Sequence, residues 1–212
     1  MNYALLLLIL VTGSPSAAQE PRLALSFIAA DSDHSAFAEA ARGFWESDGV
    51  RIVKTMERVS GLRFRDSAIT VIMSPRAASS GAGGISTSPL RLDIRYPIPM
   101  SLIHELGHRL SHQLLITDES APRYSRMPAE LNTGHAGLDG HKLLYLYLYE
   151  IWEHLYGIEV ANRWREVERG WAELGFGFIR DAWDWSDSLG PDGRAAKMRG
   201  IVAAQPLGSW KR

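Results

Sequence analysis

The segment from about Pro99 to Leu115 places His104, Glu105 and His108 within one helical repeat, and no other part of the 212-residue chain constrains it as much. Pro97 and Pro99 suit the entry to a helix, where a missing N–H costs nothing. Ile103, Leu106, Leu110 and Leu114 then recur at three- and four-residue steps and form an apolar stripe. His104 and His108 are four residues apart, so they share a different face of the same helix. Gly107 lies between them, although glycine costs a helix about 1 kcal/mol against alanine. Its missing side chain lets another part of the fold come close.

His104-Glu105-Leu106-Gly107-His108 has the form H-E-x-x-H. One helical turn separates the two imidazoles, which can both reach a single ion at about 2.0–2.1 Å. Glu105 projects about 100° around the helix from His104, so it misses the ion and faces a water that the ion polarises. A zinc ion brings the pKa of such a water towards about 7, and a carboxylate there can take its proton as it attacks a carbonyl. The expected cofactor is therefore Zn2+, with His104 and His108 as ligands and Glu105 as general base. The same carboxylate can return the proton to the leaving amine.

Catalytic zinc takes three protein ligands and a water, so one ligand lies elsewhere. The candidates are His112, Glu130, His135, His141, Glu150, Glu153 and His154. His112 lies a further turn along the same helix, and Glu130 and His135 fall in an expected loop. The unusually apolar segment Asp139 to Tyr156 reads as one buried helix, ended by Gly157. On it His141 shares a face with Leu144, Tyr145, Leu148 and Trp152, whereas Glu150 falls on the opposite side. His141 is the preferred third ligand and Glu150 the alternative. Tyr145, Tyr147 and Tyr149 read as core aromatics, while His34 and His154 read as surface residues.

The segment Ile103-His104-Glu105-Leu106-Gly107-His108-Arg109-Leu110 resembles the active-site helix of the zincin metallopeptidases, over about a tenth of the chain. That resemblance implies a zinc site, peptidase activity on a peptide or protein substrate, and a strand edge ahead of the helix that holds substrate extended. The metzincin extension is absent, because Ser111 and Leu114 stand where that pattern has Gly and His. The chain is closer to the gluzincin type, which implies a third ligand, often a glutamate, from a separate downstream helix. Two other readings remain open at this level: a non-catalytic zinc-binding module, and a zinc hydrolase of another amide such as a cell-wall component.

The rest of the sequence bounds these readings. An apolar share of 46% with 22% charged residues is that of a globular domain. The formal net charge of −1 gives no electrostatic reason to expect nucleic acid or an anionic membrane as partner. With no cysteine, any metal must be held by His, Asp or Glu. The apolar run Ala4 to Val11, a Gly/Pro break and small residues up to Ala18 read as a signal peptide over 1–18. A secreted or periplasmic domain over 19–212 follows, with no stable membrane insertion once the signal is removed.

The expected fold class is α+β: N-terminal helices, a small sheet, the H-E-x-x-H helix and a mainly helical C-terminal half. Asp31 or Asp33 caps a first helix carrying Phe37, Ala40, Ala41 and Phe44. Ser47-Asp48-Gly49 is expected to break it before a second helix with Val50, Val53, Met56 and Val59. Strands are expected at Ala68 to Met73 and Leu90 to Tyr96, joined by a flexible connection over Ala77 to Gly84. After a polar loop from Thr117 to about Gly137 and the apolar helix comes an amphipathic helix with Ile158, Ala161, Trp164, Val167 and Trp171. Trp183 and Trp185 pack back on the domain, and a last short helix covers about Arg194 to Ala203.

Overall fold

The computed structural model describes residues 23–73, 79–81, 84–87, 98–115, 128 and 130–204. The signal-peptide segment 1–18, the expected strand at 90–96 and most of the expected loop at 117–137 lie outside them. Among the described residues the fold is mainly helical with one small sheet. No helix there is long and apolar enough to cross a membrane.

Strands β1 (Ala24–Ala29), β2 (Ala68–Met73), β3 (Ser79–Gly81) and β4 (Gly84–Thr87) form a sheet in the order β1-β2-β4-β3. β1, β2 and β4 run parallel, and β3 pairs antiparallel with β4. Parallel neighbours need a crossover. Helix α1 (Ser35–Ser60) supplies it between β1 and β2, entered through a 3-10 turn at Ser32–His34 and closed by Gly61 at φ 71°. One face of the sheet is core, with Phe27, Ile69, Val71, Met73 and Ile85 buried.

Three expectations need correction here. β1 was not expected, and β3 and β4 occupy much of what reads as a flexible connection. α1 is also one helix of 26 residues rather than two. The indole of Trp45 covers Gly49 so closely that a Cβ there would lie 2.7 Å from a ring carbon. Arg51 pairs with Asp48 one turn away and donates to the Leu155 carbonyl at 2.9 Å. Packing and local pairing thus outweigh the low helix propensity of Ser47-Asp48-Gly49.

Helix α2 (Ile98–Leu115) carries the H-E-x-x-H segment. Ile103, Leu106, Leu110 and Leu114 are fully buried, as the stripe predicts; Met100 and Leu102 widen it at its edges, and Ser101, His104 and Glu105 on the other side are buried as well. The helix runs through the interior rather than along a surface. Arg109 fixes its outer side with two 2.9 Å hydrogen bonds to the Asp66 carboxylate.

The expected helix Asp139 to Tyr156 is two helices, α3 (Ala136–Leu144) and α4 (Leu148–Tyr156). Between them the chain makes i→i+3 bonds, Leu146 N–H to Leu143 O and Tyr147 N–H to Leu144 O, and Tyr147 leaves helical geometry at φ −143°. The break carries no Gly or Pro. A tertiary hydrogen bond compensates it instead: Ser186 Oγ donates to the Tyr145 carbonyl at 2.8 Å, while the Tyr147 phenol ties the break to α2 by donating to the Gly107 carbonyl at 2.8 Å. A buried carbonyl released from a helix needs such a partner.

Gly107 is where α3 closes on α2. A Cβ at Gly107 would lie 2.4 Å from Leu144 Cδ1, and Leu144 is itself fully buried. Gly107→Ala is therefore expected to cost about 1–3 kcal/mol through overpacking. Thermal unfolding checks this; an unchanged or raised Tm would show that the helices are not held at this separation.

Helix α5 (Ile158–Gly170), a 3-10 turn (Trp171–Leu174) and helix α6 (Gly177–Ala203) complete the chain. The expected short last helix is only the end of α6, which kinks at Gly190 (φ 64°) ahead of Pro191. Arg194, just past the kink, reaches Glu150 on α4 with bonds of 2.7 and 2.8 Å. Trp183 of α6 is fully buried in the common core.

Candidate metal centre

His104, His108 and His141 converge from α2 and α3. One ring nitrogen of each lies within 4.8 Å of those of the other two. His104 Nε2 and His108 Nε2 stand 3.1 Å apart. Two ligands of a tetrahedral ion at about 2.05 Å are separated by about 3.3 Å, so this pair already has the spacing of a shared ion. The His141 ring centroid is 4.6 Å from that of His108 and 5.4 Å from that of His104. Close approach of α3 to α2 at Gly107 brings this third imidazole to the first two.

The outer nitrogens settle which atoms face inward. His141 Nδ1 donates to the Gly137 carbonyl at 2.7 Å, since a carbonyl can only accept. His104 Nδ1 donates to Glu168 Oε1 at 2.6 Å. In both rings the proton therefore sits on Nδ1, and the lone pair on Nε2 points towards the other imidazoles. This is the tautomer that a metal requires, and a carboxylate or carbonyl on the far nitrogen is the usual way to hold it.

Electrostatics favour one positive charge at this place. Burial works against the His104 imidazolium, but the Glu168 carboxylate, by charge and hydrogen bond, and the charge of Glu105 outweigh it and raise its pKa above the ordinary histidine value. Burial and the neighbouring His104 charge push His141 down to about 3, against the Gly137 carbonyl. His141 therefore stays neutral, while the carboxylates of Glu168 and Glu105 stabilise a cation beside His104. A nitrogen-only donor set with two nearby carboxylates suits a borderline divalent ion such as zinc.

Glu105 is 4% exposed and lies next to His104 on α2 without belonging to the histidine trio. Trp171 lines the trio on the His104 side, with ring centroids 5.7 Å apart, and Tyr145 lies between His104 and His141, 6.3 and 5.5 Å from them. Phe178 lies against His141 at 5.3 Å. It comes close to α3 because Gly137 has no side chain; a Cβ there would sit 3.2 Å from the Phe178 ring.

The other candidates lie elsewhere. Glu150 is engaged by Arg194 and takes no part in the trio. His135 caps α3, accepting the Leu138 N–H on Nδ1 at 3.0 Å. Glu130 pairs with Lys197, and His154 is exposed and donates to the Glu150 carbonyl. Glu153 is outside the trio as well, and the His112 side chain is not among those described. His34 departs from expectation: it is buried and paired with Asp31. Tyr149 donates to Asn162 at 2.9 Å and, like Tyr147, is held structurally.

Glu168 is the residue that the sequence reading passes over. It falls four residues after Trp164 and seven after Ala161, on the stripe that faces the core, where a glutamate needs a reason. That position was the available signal. Comparison with known proteins adds nothing to this geometry: no protein-family model, curated protein or solved structure matches the chain.

Proposed function

We propose that the chain is a zinc-dependent peptidase of the zincin kind, with His104, His108 and His141 as metal ligands and Glu105 as general base. One observation carries the reading: the Nδ1 atoms of His104 and His141 are tied outward, which turns their Nε2 lone pairs to a common point with His108. Bound there, zinc would act as a Lewis acid, activating water near neutral pH and polarising a substrate carbonyl.

The chain's own residues do the rest. Glu105 accepts the proton of the attacking water and delivers it to the departing amine, which lets a peptide bond break without free hydroxide or a charged amide leaving group. Glu168 keeps His104 oriented throughout. The buried surroundings, with Trp171 beside His104, Tyr145 between His104 and His141, and Phe178 beside His141, lower the local dielectric and strengthen the action of these charges. A general base between two ligands has no use in a purely structural or storage site, so Glu105 favours hydrolysis over simple metal binding.

The zinc-loaded protein should cleave members of a mixed peptide library, detected by mass spectrometry. Cleavage should stop on chelation and return with added zinc. Stoichiometric zinc with no cleaved peptide would remove the peptidase reading and leave a metal-binding protein or a hydrolase of another amide.

A further inference from the structure

Trp183 touches none of the three histidines, yet it is bonded to the machinery of both helices that carry them. Its indole is fully buried, its Nε1 donates to Glu168 Oε2 at 3.1 Å, and its ring stacks on Tyr145 with centroids 3.8 Å apart and planes at 13°. Glu168 holds His104 of α2 through its other oxygen. Tyr145 is the residue at which α3, the helix of His141, ends.

Glu168 has no solvent exposure, so bulk water does not reach its carboxylate. A buried carboxylate is costly unless both oxygens are held. His104 takes one and Trp183 the other. An indole N–H can only donate, which fixes Oε2 as an acceptor and leaves Oε1 for the imidazole. A histidine ligand keeps its orientation only as well as the group behind it is held.

We propose that Trp183 is a positioning residue of the metal centre. Acting through Glu168, it keeps His104 protonated at Nδ1, with Nε2 turned towards His108 and His141. This inference rests on the zinc reading of the trio and assigns part of its affinity to a donor on α6, outside the ligand helices.

The test is the zinc dissociation constant, measured by competition with a chromogenic chelator, for wild type, Trp183→Phe, Glu168→Gln and the double variant. Glu168→Gln is expected to weaken zinc binding about 10- to 100-fold. Trp183→Phe keeps a ring on Tyr145 but loses the N–H, and should weaken binding about three- to tenfold. In the double variant the loss should be no larger than for Glu168→Gln alone, because the indole acts through that carboxylate. A packing role would instead make the two losses multiply.

Wild-type affinity in a folded Trp183→Phe, or losses that multiply, would overturn the proposal and leave the zinc site intact. A wild type that binds no zinc would overturn both. Should Trp183→Phe fail to fold, the indole N–H resonance of Trp183 in the wild type gives the answer. It is expected to shift during zinc titration, and an unmoved resonance would overturn the proposal.

Discussion

Glu105→Gln is expected to lower kcat/KM for peptide hydrolysis by about 10²- to 10⁴-fold, the range that a positioned general base contributes. Zinc content should stay at that of the wild type. Glutamine has the volume and shape of the glutamate, which matters because Glu105 is almost fully buried on α2. It cannot accept and return a proton at neutral pH. Glu105 is also outside the ligand set, which is made of imidazoles alone. Its charge is one of the groups that raise the His104 pKa, so removing it weakens both the attraction for a cation and the competing proton, two effects that oppose each other. Kinetics and zinc content measured on the same preparation check both halves. A variant that remained fully active would contradict the assigned mechanism.

His141→Ala is expected to reduce zinc affinity by more than the 10- to 100-fold cost of disturbing a group behind a ligand. It removes one of three nitrogens and leaves α2 to hold the ion with His104 and His108 alone. Glu150→Gln is the informative control. Glu150 is bonded to Arg194 past the kink of α6, so its loss should lower the Tm and leave zinc stoichiometry unchanged. His135→Ala should likewise spare the metal, because His135 is spent on the first turn of α3. Isothermal titration with zinc distinguishes these variants. Equal affinity in wild type and His141→Ala would exclude His141 from the centre.

Much of this was legible in the sequence because periodicity reports what a helix does with its own faces. The spacing of His104 and His108 and the stripe from Ile103 to Leu114 require only helical geometry, and α2 follows them closely. The strand at Ala68–Met73 was legible from its β-branched residues.

What escaped depends on distant partners. Nothing between Leu143 and Leu148 signals a break, since the residues that Tyr145 and Tyr147 bond there, Ser186 and Gly107, lie 41 and 40 positions away. β1 owes its place to the register with β2, set after a helix of 26 residues. Gly49 reads as a helix breaker until Trp45 is seen to cover it. His34 reads as a surface residue because only the fold shows its burial.

The candidate site divides in the same way. His104, Glu105 and His108 announce themselves by local spacing. His141 and Glu150 could be ranked only by helix face, and that ranking assumed a continuous helix which in fact breaks between them. Glu168 is visible only as a glutamate on an apolar stripe, and its purpose emerges once the fold brings it to His104 of α2.

Zinc content of the purified wild-type protein, prepared without chelators and measured by plasma mass spectrometry, tests the central claim most directly. About one zinc per chain, absent from His104→Ala and His141→Ala, is the expected result. A wild type without metal that takes up no zinc when it is supplied would contradict the account, whatever the spacing of the three histidines.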